Sequence, residues 1–348
     1  MSTITNTKRS RVVRFAQEGG PEVLRIDTIE LPPPAAGEVR VAIEAIGLNR
    51  AEAMYRGGYY YERPARFPAV LGYEAAGVVE AIGAEVTGFA PGDAVSVVPA
   101  FSMRDYGVYG EHVNVPARSL VRRPQGQSAI EGAAVWMAGI TAYGGLIEIG
   151  KLRAGDTVLL TAATGSIGLA ALQVAQRVGA HAIATTRNPQ KRAALLQAGA
   201  SAVIVTGEGD LVSQVRDLTG GRGADLVFDA LAGSGVSELA AATASGGRLL
   251  LYGFLHQPQV AGAFGSAITP FPLTNWSIDM RWYAAGQDVA ADPARMRRAQ
   301  AFVLSGLRTG TLTAVIDRTF DFDDIVAAHR YLESNTQVGK VVVSVSGR

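Results

Sequence analysis

The sequence predicts an α/β protein of two domains, one β-rich and one built on a doubly wound parallel sheet. Three observations predict it. The chain has 348 residues, more than one hydrophobic core ordinarily serves. Its first third alternates apolar with small or polar residues, the period of half-buried strands. From residue 157 to 251 short apolar runs alternate with helical periods, the pattern of parallel strands joined by crossover helices.

Each element can be justified in order. The start, "MSTITNTKRSR", carries no apolar run of a signal peptide and reads as a frayed tail. "VRVAIEAIGLN", "AAGVVEAIG" and "AVSVVPA" read as strands, cut by the turn signals "PPPAAGE" and "FAPGD". At Ser128 the period turns helical in "SAIEGAAVWMAGITAYGGLIEIG", and Glu131 three residues on completes a capping box. Strands are then expected at "TVLLTA", "HAIATT", "AVIV", "DLVFDAL" and "GRLLLYG", with helices at 166–179, 189–198, 210–219 and 235–245. "SIDMRWYA" fits a last strand of that sheet, "PARMRRAQAFVLSGLRTG" an amphipathic helix, and "VGKVVVSV" a strand returning to the N-terminal β domain.

Composition excludes several function classes. A net charge of +1 gives no basic footprint for nucleic acid. No transmembrane run of about 20 apolar residues is read, so a soluble cytoplasmic protein is expected. With no cysteine there is no disulfide, no thiolate nucleophile and no cysteine metal site. The four histidines, His112, His181, His256 and His329, stand in different elements without metal-ligand spacing, so no metal site is expected.

The chemistry-bearing stretch is "AATGSIG". Ala163, Gly165 and Gly168 fit a G-x-G-x-x-G fingerprint with alanine in the first slot, and Thr164, Ser166 and Ile167 fill the turn. The motif follows an expected strand and opens an expected helix, the context that points to a dinucleotide pyrophosphate at a helix N-terminus. In such folds an acid roughly 20 residues on holds the ribose 2′-hydroxyl. Here no Asp or Glu occurs between Asp156 and Glu208, and "TTRNPQK" places Thr186, Arg187 and Lys191 there instead. Guanidinium and ammonium suit a 2′-phosphate, so the expected cofactor is NADPH. The alternative for Arg187 and Lys191 is a pair of solvated charges at a helix start. Tyr252, Gly253 and Phe254 end an expected strand, where ligands meet parallel sheets.

Several motifs in series resemble one family: "GLNRAEAMYRGGYY", "LGYEAAGVVEAIGAEVTGFAPGDAV", "YGVYGEHVNVP", "AAVWMAGITAYGGL", "AATGSIG" and "AAHRYLESNTQVGKVVV". Together they resemble the medium-chain dehydrogenase/reductase superfamily, in its zinc-free quinone oxidoreductase, zeta-crystallin-like branch. The resemblance implies a GroES-like substrate domain formed by 1–127 and 290–348, a Rossmann domain at 128–289, and a cleft between them. Zinc-dependent relatives carry a cysteine where this chain has Asn49 and a histidine where it has Tyr73, before Glu74. Asn49 and Tyr60 are the implied catalytic donors, with Tyr55 beside them and Tyr59 as a further aromatic. Some relatives place a tyrosine where Met54 stands. Thr141 and Lys340 are implied at the cofactor, and Thr206 replaces a tyrosine that relatives use there. Arg56 is open to two readings, an attractor of anionic substrate or a surface charge.

Three functions follow as alternatives. The first is NADPH-dependent, zinc-independent hydride transfer to a quinone or α,β-unsaturated carbonyl. The second is reduction of an enoyl thioester, with Arg63, Arg66 and Arg104 as a basic entrance. The third is a nucleotide-binding sensor or structural protein without catalysis. The apolar segment 262–283 suggests a sheet edge covered by a second copy, hence a homodimer.

Overall fold

The computed structural model describes residues 7–256 and 277–345. Two compact units emerge, one from residues 1–137 with 314–348 and one from 138–313. The first opens with strands β1 (Lys8–Phe15) and β2 (Leu24–Leu31), which pair antiparallel. Then come β3 (Glu38–Gly47), α1 (Arg50–Arg56), β4 (Glu74–Ile82), β5 (Ala94–Val97), β6 (His112–Pro116) and β7 (Leu120–Arg122). Helix α2 (Ala129–Gly132) starts at the expected capping box: Ser128 accepts from the Glu131 N–H while Glu131 reaches back to the Ser128 N–H. Helix α3 (Trp136–Tyr143) follows. Contrary to the sequence expectation, one stretch, 129–149, is long and apolar enough to cross a membrane by composition, but it is mostly buried, as the core helix of a folded domain would be.

The second unit alternates β8 (Thr157–Leu160), α4 (Ser166–Val178), β9 (His181–Thr186), α5 (Arg192–Gln197), β10 (Ala202–Val205), α6 (Leu211–Leu218), β11 (Ala224–Asp229), α7 (Val236–Ala242), β12 (Thr243–Leu251) and β13 (Asp279–Trp282). Among the described residues these six strands pair in parallel in the order β10-β9-β8-β11-β12-β13. That is the doubly wound order, whose switch point lies between β8 and β11. Leu159, Ile183, Val227 and Leu249, all buried, form the centre of its core. Most of segment 262–283 lies outside the described residues; its end forms β13, the expected last strand.

Helix α8 (Pro293–Thr309) belongs to this second unit, where the sequence reading ended the domain at 289. The reason is its packing. Arg298 pairs with Glu148 through two bonds of 2.7 and 2.9 Å. Arg177 lies over the Phe302 ring at 4.1 Å and donates to its carbonyl. The other boundary falls after Met137 rather than 127, because α2 packs on β3, β4, β5 and the last strand of the chain.

The chain then returns to the first unit with β14 (Ile316–Asp321), α9 (Ile325–Glu333) and β15 (Lys340–Ser344). Strand β15 sits between β14 and β3 in a sheet ordered β14-β15-β3-β4-β5-β7, with β6 also on β3. The return of "VGKVVVSV" to the N-terminal domain is therefore observed.

Candidate functional site

In the second unit the fingerprint residues form the turn between β8 and α4. Helix α4 starts from Gly165, whose extended backbone caps it without any side-chain bond. Its first-turn N–H groups therefore have no side chain to satisfy them, as an anion site requires. A Cβ on Gly165 would face nothing closer than the Ala162 carbonyl at 3.4 Å, whereas one on Gly168 would meet Ala163 backbone at 2.6 Å. One glycine leaves room for a ligand; the other lets α4 sit against the turn. The residues thus fit a dinucleotide pyrophosphate.

Two residues that the sequence reading passed over hold this turn. Asp229, at the end of β11, accepts from Thr161 Oγ1 at 2.5 Å and from the N–H groups of Leu231 and Ala232. Burial raises its carboxyl pKa, against the pull of these donors. The bond to Thr161 spans the switch point and ties together the two strand ends beneath the turn. The signal available in the sequence was a hydroxyl and a carboxyl ending adjacent parallel strands.

Thr186 ends β9, buried, and its hydroxyl bonds the Asn188 backbone. Arg187 follows, exposed, with no hydrogen bond or ion pair among the described residues. Lys191 is half-buried and engaged. Arg192, which was not singled out, pairs with Glu208 and donates to the Val203 carbonyl. Thr206 ties the end of β10 to Thr186 through its N–H. Thr141 is buried in α3, and its carbonyl accepts the Tyr283 hydroxyl at 3.0 Å. The side chains of Tyr252 and Phe254 are stacked on Phe228 and Trp282, at 4.0 and 4.5 Å. What this strand end offers a ligand is therefore chiefly backbone, and Gly253 lies so close to Ala230 that a Cβ would sit 2.6 Å from its carbonyl oxygen.

In the first unit a buried polar centre gathers residues far apart in sequence. Lys340 Nζ donates to Asn49 Oδ1 at 2.6 Å and to Glu74 Oε2 at 2.5 Å. Glu74 Oε1 accepts the Trp136 and Met137 N–H groups at 2.5 and 3.0 Å, at the start of α3. Glu52, the third residue of α1, accepts the Asn49 N–H at 2.6 Å, the Asn49 side-chain amide at 3.1 Å and the Tyr73 N–H at 3.3 Å. Burial pushes the Glu52 carboxyl up to about 7, although Lys340 and Asn49 pull it down.

This geometry corrects several expectations. Asn49 was expected to donate from its amide, but both of those hydrogens are committed, to Gly47 O and Glu52. Lys340, expected at the cofactor, is buried and held by two oxygens of its own unit. Tyr55 is a core residue: it is 1% exposed, its hydroxyl donates to the Met103 carbonyl, and its ring packs edge-on to Phe15. Arg56 is neither a surface charge nor a substrate attractor, because its guanidinium is buried against His329, Glu333 and the Gly19 carbonyl. His329 faces that cation in a buried site, and burial first, then Arg56, pushes its pKa down to about 3.

Tyr60 packs its ring against Tyr61 and Tyr73, neither of which was expected at the site, with centroids 4.3 and 6.4 Å away, and burial holds its hydroxyl pKa well above the usual value. Tyr59 is exposed. Arg63 pairs with Glu18, while Arg66 and Arg104 are exposed. Among the described residues no group of three His, Cys, Asp or Glu is placed to hold a metal ion.

Family models match two stretches: the alcohol dehydrogenase GroES-like domain over residues 35–125 and the zinc-binding dehydrogenase model over 166–304. The donor set does not fit the zinc of the second description, since the chain has no cysteine and Lys340 fills the space between Asn49 and Glu74. A quinone oxidoreductase of Pseudomonas aeruginosa is 32% identical over 95% of this chain and 98% of its own. A human quinone oxidoreductase is 31% identical over 97% and 99%. The crystal structure of Escherichia coli quinone oxidoreductase complexed with NADPH superposes with a TM-score of 0.85 at 26% identity, covering 97% of this chain and all of that one.

Proposed function

Since the chain belongs to the medium-chain dehydrogenase/reductase superfamily, in its zinc-free quinone oxidoreductase branch, we propose that it uses NADPH to reduce a quinone or another α,β-unsaturated carbonyl. The observation that carries the acceptor class is Lys340. Its ammonium is spent on Asn49 and Glu74, so the first unit offers hydroxyl donors rather than a Lewis acid. Such a site suits an acceptor that is already electrophilic and needs only its growing oxygen charge stabilised.

When bound, NADPH supplies the hydride. The chain's own residues do the rest. The open N–H groups at the start of α4 hold the pyrophosphate, and Gly165 leaves the room for it. Arg187, aided by Lys191, engages the 2′-phosphate; one charge-assisted bond contributes about 1.5–3 kcal/mol, roughly a ten- to hundredfold preference over NADH. Asp229 and Thr161 keep the turn in place. Tyr60 donates to the substrate oxygen, while Glu52 and Lys340 fix Asn49 beside it. We also propose a homodimer, because β13 ends its sheet among the described residues; a monomer in light scattering would rule it out.

The deciding experiment follows NADPH oxidation, with NADH alongside, against a benzoquinone, a naphthoquinone, a simple enone and an enoyl thioester, with and without a chelator. Turnover with NADPH, weak with NADH and indifferent to the chelator, is expected. Preference for the thioester would move the substrate to an acyl carrier. NADPH binding without turnover on any acceptor would favour a sensor, and activity lost to the chelator would refute the metal-free mechanism.

A further inference from the structure

Tyr60, the residue assigned above to the substrate oxygen, belongs to an aromatic wall of the first unit. Its ring lies 4.3 Å from Tyr61 and 6.4 Å from Tyr73, and Tyr73 lies 5.8 Å from Phe101, centroid to centroid. Aromatic faces of this kind suit a flat conjugated acceptor. One charge is fixed to the wall. Tyr73 Oη donates to Glu62 Oε2 at 3.5 Å, and Ser102 Oγ donates to the same oxygen at 2.8 Å. Ser102 Oγ is itself held, accepting the Arg104 N–H at 3.1 Å. Glu62 is half-buried and has no ion pair among the described residues. The nearby arginines do not cancel it: Arg63 pairs with Glu18, Arg66 is exposed, and Arg104 is exposed beside the equally exposed Asp105.

We propose that Glu62 is a specificity-determining residue of the acceptor site, whose carboxylate turns away anionic acceptors and so restricts the substrate to flat quinones and enones without a negative charge beside the reacting carbonyl. The proposal rests on the reading of Tyr60 given above. It narrows the acceptor class, since conjugated acids and ring sulfonates are excluded.

A neutral acceptor laid on this wall meets rings and hydroxyls. An anionic one also meets a like charge that two hydroxyls hold in place. Like charges about 8 Å apart in an effective dielectric of about 30 repel enough for roughly tenfold discrimination. The surrounding phenols register the same field. Burial first, then the Glu62 charge, pushes the Tyr55 hydroxyl up to about 12, and Glu62 adds to the rise that burial imposes on Tyr61 and Tyr73.

The test measures kcat/KM at saturating NADPH for 1,4-naphthoquinone and for its 2-sulfonate, in the unaltered protein and in Glu62→Gln. The amide keeps the side-chain shape and an oxygen for the Tyr73 and Ser102 hydroxyls, and the intrinsic reactivity of the sulfonate cancels when the two proteins are compared. The ratio of neutral to anionic kcat/KM should fall about tenfold in the variant. In the unaltered protein that ratio should also fall as salt is added, because the repulsion is screened, and in the variant it should not respond. A Glu62 that serves only to hold Tyr73 and Ser102 would move both acceptors together, and an unchanged ratio with no salt response would overturn the proposal. The salt series on the unaltered protein decides the matter if the variant does not fold. Absence of turnover by the unaltered protein would count against the functional reading alone. Fluorescence titration with 1-naphthol and 1-naphthol-4-sulfonate would then decide on Glu62: a tenfold change in the affinity ratio supports it, and an unchanged ratio overturns it.

Discussion

Lys340 and Glu74 are both essentially sealed from water, so neither charge is tolerable without the other. Replacing Lys340 by Met leaves Glu74 with two backbone donors and no counter-charge. Breaking a buried pair from one side costs about 3–5 kcal/mol, and urea denaturation of Lys340→Met should show a loss of that size, partly restored by adding Glu74→Gln. Glu52 gives a pH signature. Its carboxyl lies at about 7 in the fold against 4.5 for the free group. Between those values the folded state keeps a proton that the unfolded state has released. The contribution is therefore complete below the lower value and lost as pH rises through the upper one. The stability advantage of the unaltered protein over Glu52→Gln should shrink across that window; a difference independent of pH would contradict the assignment. At this scale the sequence was least legible. Tyr55 and Tyr60 stand five positions apart in one tyrosine-rich run, yet one is packed on Phe15 and bonded to Met103 while the other lies against the rings of Tyr61 and Tyr73. Nothing in the run distinguishes them, because their neighbours come from residues 15, 73 and 103.

Elements were far more legible, because their signals are local. The strand and helix periods of 157–251 and the Ser128–Glu131 cap appear almost where the pattern put them. The glycine-rich turn was readable because a bare backbone between strand and helix has few other uses. Gly168→Val should push α4 off the turn, since its Cβ would meet Ala163 backbone rather than a movable side chain. Overpacking of that kind costs about 1–3 kcal/mol, and NADPH fluorescence titration should show weakened binding together with a lowered melting temperature. Arg187→Ala touches no packing, since that side chain is exposed. Melting should stay constant while NADPH affinity falls about ten- to hundredfold and NADH affinity holds; an equal fall for both nucleotides would remove Arg187 from the phosphate. Helix α8 went to the wrong unit because amphipathicity shows that a helix has an apolar face, not which core receives it. The partners that decide, Glu148 and Arg177, lie more than a hundred residues earlier.

At the scale of the whole molecule the two units differ in how the chain builds them. The second is one unbroken stretch, 138–313, whereas the first is assembled from both ends. Its closing piece is β15, inserted between β14 and β3, where Val342, Val343 and Ser344 pair with Gly47, Ile46 and Ala45. The same strand delivers Lys340 to Glu74. The sequence reading returned "VGKVVVSV" to the N-terminal β domain, but periodicity did not name its neighbours β14 and β3. The placement of β15 has a consequence during synthesis. The ribosome makes β3 well before β15, with the whole second unit between them. The second unit can therefore fold as soon as it has left the exit tunnel, but the first unit must wait until β15 has also emerged, with the Glu74 charge unpaired until then. Chains stalled with Thr313 outside the tunnel and β15 still inside it should show a protease-resistant second unit and a first unit still open to cleavage, and emergence of β15 should close it. Protection of the first unit before β15 emerges would mean that its sheet forms without the strand that completes it.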